Sequence, residues 1–260
     1  MSGAQTMTRP APTRASTAPD APIPFGRLLR VEWGKGTDTR ASRWLIALTA
    51  LATVAIMLAP LLAKHSVDQT YDSYLQFSAL GLTILLPIVS IMTLTSEWTQ
   101  RTVLATFTQE PRRARVVSAK VVASGVLALL AVVFGAVVTA AALAIAAAAG
   151  RDLGADLDAP NVIGYVLFIL ANILMGVAIG ALLHNTAASI VLFFVVPGVF
   201  AVLGAVVKGV GRWVDPSTTF NWMLEGHWSG HGAQLLVSAA LWVVLPLALG
   251  IVRTMRREIK

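Results

Sequence analysis

The chain has 260 residues, 56% of them hydrophobic and 13% charged, with a mean hydropathy of +0.73. That balance is far too apolar for a soluble domain of ordinary composition and points to a polytopic membrane protein. The formal charge of +7 is spread in the pattern of a membrane topology signal and not of a nucleic-acid footprint, so no nucleic-acid partner is expected.

Residues 1–24 are rich in Ala, Pro, Thr and Ser with no apolar periodicity, and read as a disordered N-terminal tail. They hold no apolar h-region, so no cleavable signal peptide is expected and the first span serves as the insertion signal. Over 25–43, Phe25, Leu28, Leu29, Val31 and Trp33 alternate with Arg27, Arg30, Glu32, Lys35, Arg40 and Arg43. This predicts an amphipathic connecting helix lying at the membrane interface, ending after about two turns because Gly34 and Gly36 weaken it.

Six apolar runs follow, at 44–63, 74–94, 121–149, 161–183, 187–207 and 235–252. Each is about long enough to cross a ~30 Å hydrocarbon core at 1.5 Å per residue. As drawn, none contains Asp, Glu, Lys or Arg, which argues against a pump that relays charge through buried acids. Pro87 and Pro197 predict kinks in the second and fifth spans. Asn172, in the fourth span, is the strongest polar group at mid-membrane depth, serving either an interhelical hydrogen bond or a contact on a substrate path. The spacing of Gly176 and Gly180 suits close helix approach, within the chain or at a dimer face.

The most informative stretch is 95–120, a polar segment held between two lipid-length runs. It carries Arg101, Arg112, Arg113, Arg115 and Lys120 and breaks at Pro111, a residue suited to the first turn of a helix. A helix, a turn at Gln109-Glu110 and a second helix feeding the third span are expected. Reversing direction needs only a few residues, so a 26-residue excursion predicts a docking surface. Glu97 and Lys120, at facing exits from the two spans, form a candidate ion pair. Further on, Trp213, Trp222 and Trp228 with Phe220, broken by Asp215-Pro216, predict short re-entrant or interfacial helices before span six.

Sixteen Lys and Arg residues fall in 1–43, 95–120 and the basic tail 253–260, against four in the opposite loops. The positive-inside rule then makes both termini and the 95–120 loop cytoplasmic. A bias to Ala, Val and Arg over Lys points to a bacterial plasma membrane. Thiol chemistry and disulfides are excluded because the chain has no Cys. No phosphate-cradling loop and no hydrolase or metalloprotease motif is present, so no catalytic residue, metal site or cofactor of its own is expected. His65, His184, His227 and His231 fall at loop or interface positions, where a solvated imidazole is the expectation.

The order of these parts resembles the membrane subunits of type-2 ATP-binding-cassette exporters. The local likeness runs through Glu97, then Gln100-Arg101-Thr102, then 108–113 with Pro111, Arg112 and Arg113, then Lys120, with Arg101 at the place of the family's glycine. The resemblance implies an all-α fold of six transmembrane helices with an interfacial N-terminal helix, a cytoplasmic coupling helix and a re-entrant segment before span six. It implies a permease without ATPase activity, coupled through Glu97, Arg101, Thr102, Pro111, Arg112, Arg113 and Lys120 to a separate nucleotide-binding subunit that holds ATP and Mg. It also implies a second permease copy, as homodimer or heterodimer, and contact with membrane lipid. The cargo path, lined by spans one, two and five, would take a hydrophobic, amphipathic or peptide molecule. The alternative is a polytopic structural or regulatory protein that recruits a soluble partner through 95–120.

Overall fold

The computed structural model describes residues 23–63, 67–154, 158–207 and 209–257. The expectation for 1–24 lies almost wholly outside them. Eleven α-helices account for most of the described residues, and the β-pairing there is a single bridge between Thr70 and Gly154. Among the described residues, six helical stretches are long and apolar enough to cross a membrane. The chain is an all-α polytopic membrane protein.

Helix α1, Phe25–Thr37, runs through Gly34 and Gly36 instead of stopping before them. The reason is tertiary. Leu28, Glu32 and Gly36, spaced one turn apart, form its buried stripe, and a Cβ at Gly36 would come within 2.8 Å of Thr93 Oγ1. Packing therefore outweighs the weak intrinsic propensity of glycine. Helix α2, Arg40–Leu62, is capped by Thr39, whose side chain accepts from Ser42 N–H.

Helix α3, Tyr71–Thr99, is the centre of the molecule. Burial covers 61% of its apolar window, against 11% for the fifth membrane-length helix. It meets α2 where Gly81 lies against Thr53, at a distance that leaves no room for a methyl group. Helix α4 spans Val103–Gln109, α5 Arg113–Ala148 and α6 Ala159–Leu183. Gly176 and Gly180 bring α6 onto α3 against Ser90, Pro87, Leu94 and Thr95, so this glycine pair serves packing within the chain. One turn after Pro87, Ser90 Oγ donates to Pro87 O at 2.7 Å and lies 3.1 Å from Ile173 O of α6, and α3 runs through the proline as one continuous helix.

Helix α7, Thr186–Val206, packs lightly and presents Val191, Val195, Val202 and Val206 outward. Two short helices follow, α8 at Val210–Val214 and α9 at Pro216–Leu224. Asp215 starts α9 by accepting from Ser217 N–H, Thr218 N–H and Thr218 Oγ1. The sixth membrane-length stretch is interrupted: α10, Gly232–Ala239, passes through a π-helical turn at Ala240–Val244 into α11, Leu245–Arg256. Pro246 has no N–H and would clash with a carbonyl one turn earlier, and the wider turn before it relieves both problems.

The helices outrun the spans drawn from hydropathy. Glu97 and Lys120 fall inside α3 and α5, and Arg253 and Arg256 inside α11, so ionisable groups do lie within the membrane-length helices. The basic tail begins as the last turn of a helix.

Candidate functional site

The corner joining α3 to α5 is built from the end of α3 outward. Arg101 takes the left-handed conformation, φ 58°, where a glycine would sit without strain. Thr102 N–H donates to Glu97 O at 2.9 Å, closing the helix, and α4 starts at the next residue. The break before α5 is held by Glu110, which is buried, accepts from Arg112 N–H at 3.3 Å and pairs with Arg115 at 2.8 Å. An acid is favoured there because the first N–H groups of α5 have no partners within the helix. Pro111 lies two residues before α5 and not in its first turn as expected.

Beneath the corner four charged side chains from three helices meet. Lys120 Nζ lies 2.6 Å from Glu32 Oε2 and 3.3 Å from Glu97 Oε2. Lys35 Nζ donates to Glu32 Oε1 at 2.8 Å and to Glu97 Oε1 at 2.7 Å. The ring is completed by Thr106 Oγ1 of α4, which donates to Glu97 Oε1, and by Lys120 donating to Thr93 O. Two acids balance two ammonium groups, and that balance allows Glu32 and Lys120 to be almost fully buried. Burial by itself would lower the Lys35 pKa, but hydrogen bonds and charge from Glu32 and Glu97 outweigh it and hold the ammonium above the ordinary lysine value.

The ring contains the Glu97 and Lys120 pair expected from the sequence and adds Glu32 and Lys35. Those two stand three residues apart among the charged positions of the amphipathic connecting helix expected over 25–43. The signal that could have found Glu32 is its position one turn from both Leu28 and Gly36, on the stripe that α1 buries.

Above the ring the outward surface is formed by Arg101, Thr102, Leu104, Pro111 and Arg112, all exposed. A cleft of about 340 Å³, bordered by Lys35, Gln100, Thr102, Thr106 and Gln109, separates this surface from α1. Arg113 does not join the outer face. It donates to Thr254 O of α11 and to Arg257 O just beyond that helix, and stacks its guanidinium over Phe107.

A second cluster ties that C-terminal end down. His184, at the left-handed end of α6, is buried and stacks on Trp98 with ring centroids 4.0 Å apart. Its Nε2 is 2.9 Å from Thr254 Oγ1, and Arg257 lies over the other side of the cluster, 4.8 Å from the Trp98 ring. Burial, with the nearby Arg253 and Arg257 charges, pushes the imidazole down to a pKa of about 4. The expectation of a solvated histidine is corrected here: the chain turns tightly between α6 and α7, and that turn tucks the ring under α11. Thus α1, the α3–α4–α5 corner and the end of α11 share one pole of the molecule.

The remaining sequence candidates separate. Asn172 and Pro197 line one cavity of about 280 Å³ between α6, α7 and α9. Asn172 Nδ2 donates to Phe168 O of its own helix, so it makes no interhelical bond among the described residues. Pro87 lies at the buried α3–α6 contact, apart from that cavity. A further apolar cavity of about 350 Å³ lies between α2, α3 and α5, with Trp33 of α1 at its wall. It is therefore spans one, two and three that enclose it, without the fifth.

No protein-family model matches the chain, and no curated protein matches its sequence.

Proposed function

We propose that this chain is the membrane-spanning permease subunit of an ATP-driven exporter, residing in a bacterial plasma membrane with both termini cytoplasmic. It has no ATPase site of its own; a separate nucleotide-binding subunit holds ATP and Mg. The observation that carries the reading is the ring of buried Glu32, Glu97 and Lys120, closed on its outer side by the more exposed Lys35, directly under an exposed basic corner. A membrane protein that only needed a loop would not bury three charges to brace it, because desolvating each ion costs several kcal/mol.

In this reading α4 is the coupling helix, and Arg101, Thr102, Leu104, Pro111 and Arg112 meet the ATPase. Closure of the nucleotide-binding subunits presses α4 inward. Thr106 and the ring carry that displacement into α1, α3 and α5 together, because each of these helices supplies a charge to it. Helices α8 and α9 are the re-entrant elements. The outward apolar faces of α2 and α7 are covered by lipid and by a second permease copy.

The test is co-purification from the native membrane in mild detergent, with ATPase activity as the second readout. A nucleotide-binding subunit is expected to accompany the chain and to be lost with Arg101→Glu plus Arg112→Glu, both exposed positions. Arg113→Glu is the wrong probe, since it would also release α11. Recovery of a soluble partner without ATPase activity would favour recruitment through the 95–120 loop and overturn the export reading.

A further inference from the structure

The cavity between α6, α7 and α9 differs in kind from the apolar one between α2, α3 and α5. Its walls carry four phenylalanines, Phe168, Phe193, Phe194 and Phe220, together with two side-chain amides and a hydroxyl, those of Asn172, Asn221 and Ser217. Among the described residues no Asp, Glu, Lys or Arg lines it. Asp215, the nearest acid in the chain to Ser217, is occupied in capping α9.

The polar groups are available. Asn172 spends its Nδ2 on Phe168 O, and its Oδ1 has no hydrogen-bond partner among the described residues. The side chains of Asn221 and Ser217 are exposed and make no hydrogen bond there either. Phe193 and Phe220 are buried at 6% and 3% exposure, whereas Phe194 is 47% exposed. The aromatic cup thus has a closed floor and an open rim. At about 280 Å³ the space sits at the low end of small-molecule pockets, which run from roughly 300 to 1,000 Å³. It accepts one apolar group with its adjoining polar bonds, and not a whole large molecule.

We propose that this cavity binds an uncharged amphiphile, seating an aromatic or aliphatic group among the phenylalanines and its amide, carbonyl or hydroxyl groups on Asn172, Asn221 and Ser217. An ionised group would be desolvated there with no counter-charge, whereas a neutral amide finds both donors and acceptors. The inference names the cargo chemistry of the export reading and rests on that reading for its meaning. Binding to the chain needs no ATPase, so the two fail separately.

The test uses the full chain in phosphatidylcholine nanodiscs at pH 7, with N-octanoyl-phenylalaninamide as probe and N-octanoyl-phenylalanine, its carboxylate counterpart, as competitor. The neutral probe is expected to bind at least tenfold more tightly than the carboxylate and above its partition into empty nanodiscs. Asn221→Leu, at an exposed position that spares the fold, is expected to weaken it at least fivefold, as is Asn172→Leu. N-acetyl-phenylalaninamide gives the source: equal competition assigns an aqueous ligand to the site, and competition by the octanoyl form alone a membrane-dissolved one. Equal binding of neutral and charged probes, binding no better than partition, or unchanged affinity in Asn221→Leu would overturn the proposal.

Discussion

Lys120 keeps its ammonium 2.6 Å from one carboxylate and 3.3 Å from another with 5% of its side chain exposed. Removing one member of such a buried pair leaves an uncompensated charge, a loss of about 3–5 kcal/mol. Lys120→Met is expected to lower thermal stability in detergent by that order, and Glu32→Gln added to it to recover part of the loss. A double mutant no better than the single would mean that the two residues do not interact. His184 sets a pH dependence of a definite sign. Its imidazole stays neutral in the folded chain to about pH 4, while a free histidine protonates near 6.5. Between those values the unfolded chain binds more protons, so stability is full above pH 6.5 and falls as pH drops toward 4. His184→Gln should flatten that acid limb in melting curves taken across the window, and an unchanged slope would remove His184 as its cause.

At the scale of elements, the close approach of α2 to α3 depends on Gly81. A Cβ there would come within 2.5 Å of the Thr53 backbone, so Gly81→Ala must push the helices apart, at a cost of about 1–3 kcal/mol. Gly125 is the internal control, because a Cβ added in the interior of α5 meets nothing within 4 Å. Gly125→Ala is expected to stabilise the chain by about 0.5–1 kcal/mol through helix propensity. Opposite signs in the melting temperatures of the two variants are the expected result, and equal shifts would show that packing at Gly81 is not limiting. The same distinction explains α1. Gly34 and Gly36, two residues apart near the end of α1, look like a stop when only propensity is counted, yet Gly36 is the residue that lets α1 reach Thr93.

For the whole molecule, α1, the corner around α4 and the end of α11 share one pole through Lys35 with Glu97 and Arg113 with Thr254. The export reading makes that pole cytoplasmic, and the absence of cysteine makes the chain a ready background for labelling. A single cysteine at the exposed Arg112 position is expected to react with an impermeant maleimide only after the membrane is opened. One at the exposed Ser229 should react in intact cells. Labelling of Arg112→Cys from outside would invert the orientation and remove the proposed contact with an ATPase.

Six membrane-length helices and the segregation of basic residues were legible in the sequence, because hydropathy, length and charge belong to each segment by itself. The Glu97 and Lys120 pair was legible for a related reason: both residues stand where two neighbouring helices leave their apolar runs. Where those helices end was not, since a helix continues past the hydrocarbon length whenever its next turns find partners, as α3 and α5 do. Nor could local pattern place Glu32 and Lys35 in the ring, bury His184 under α11, or join Asn172 to Asn221 across one cavity. Each of these rests on contacts between residues far apart in the chain, and only the packed helices decide which distant polar groups meet and which remain open to a ligand.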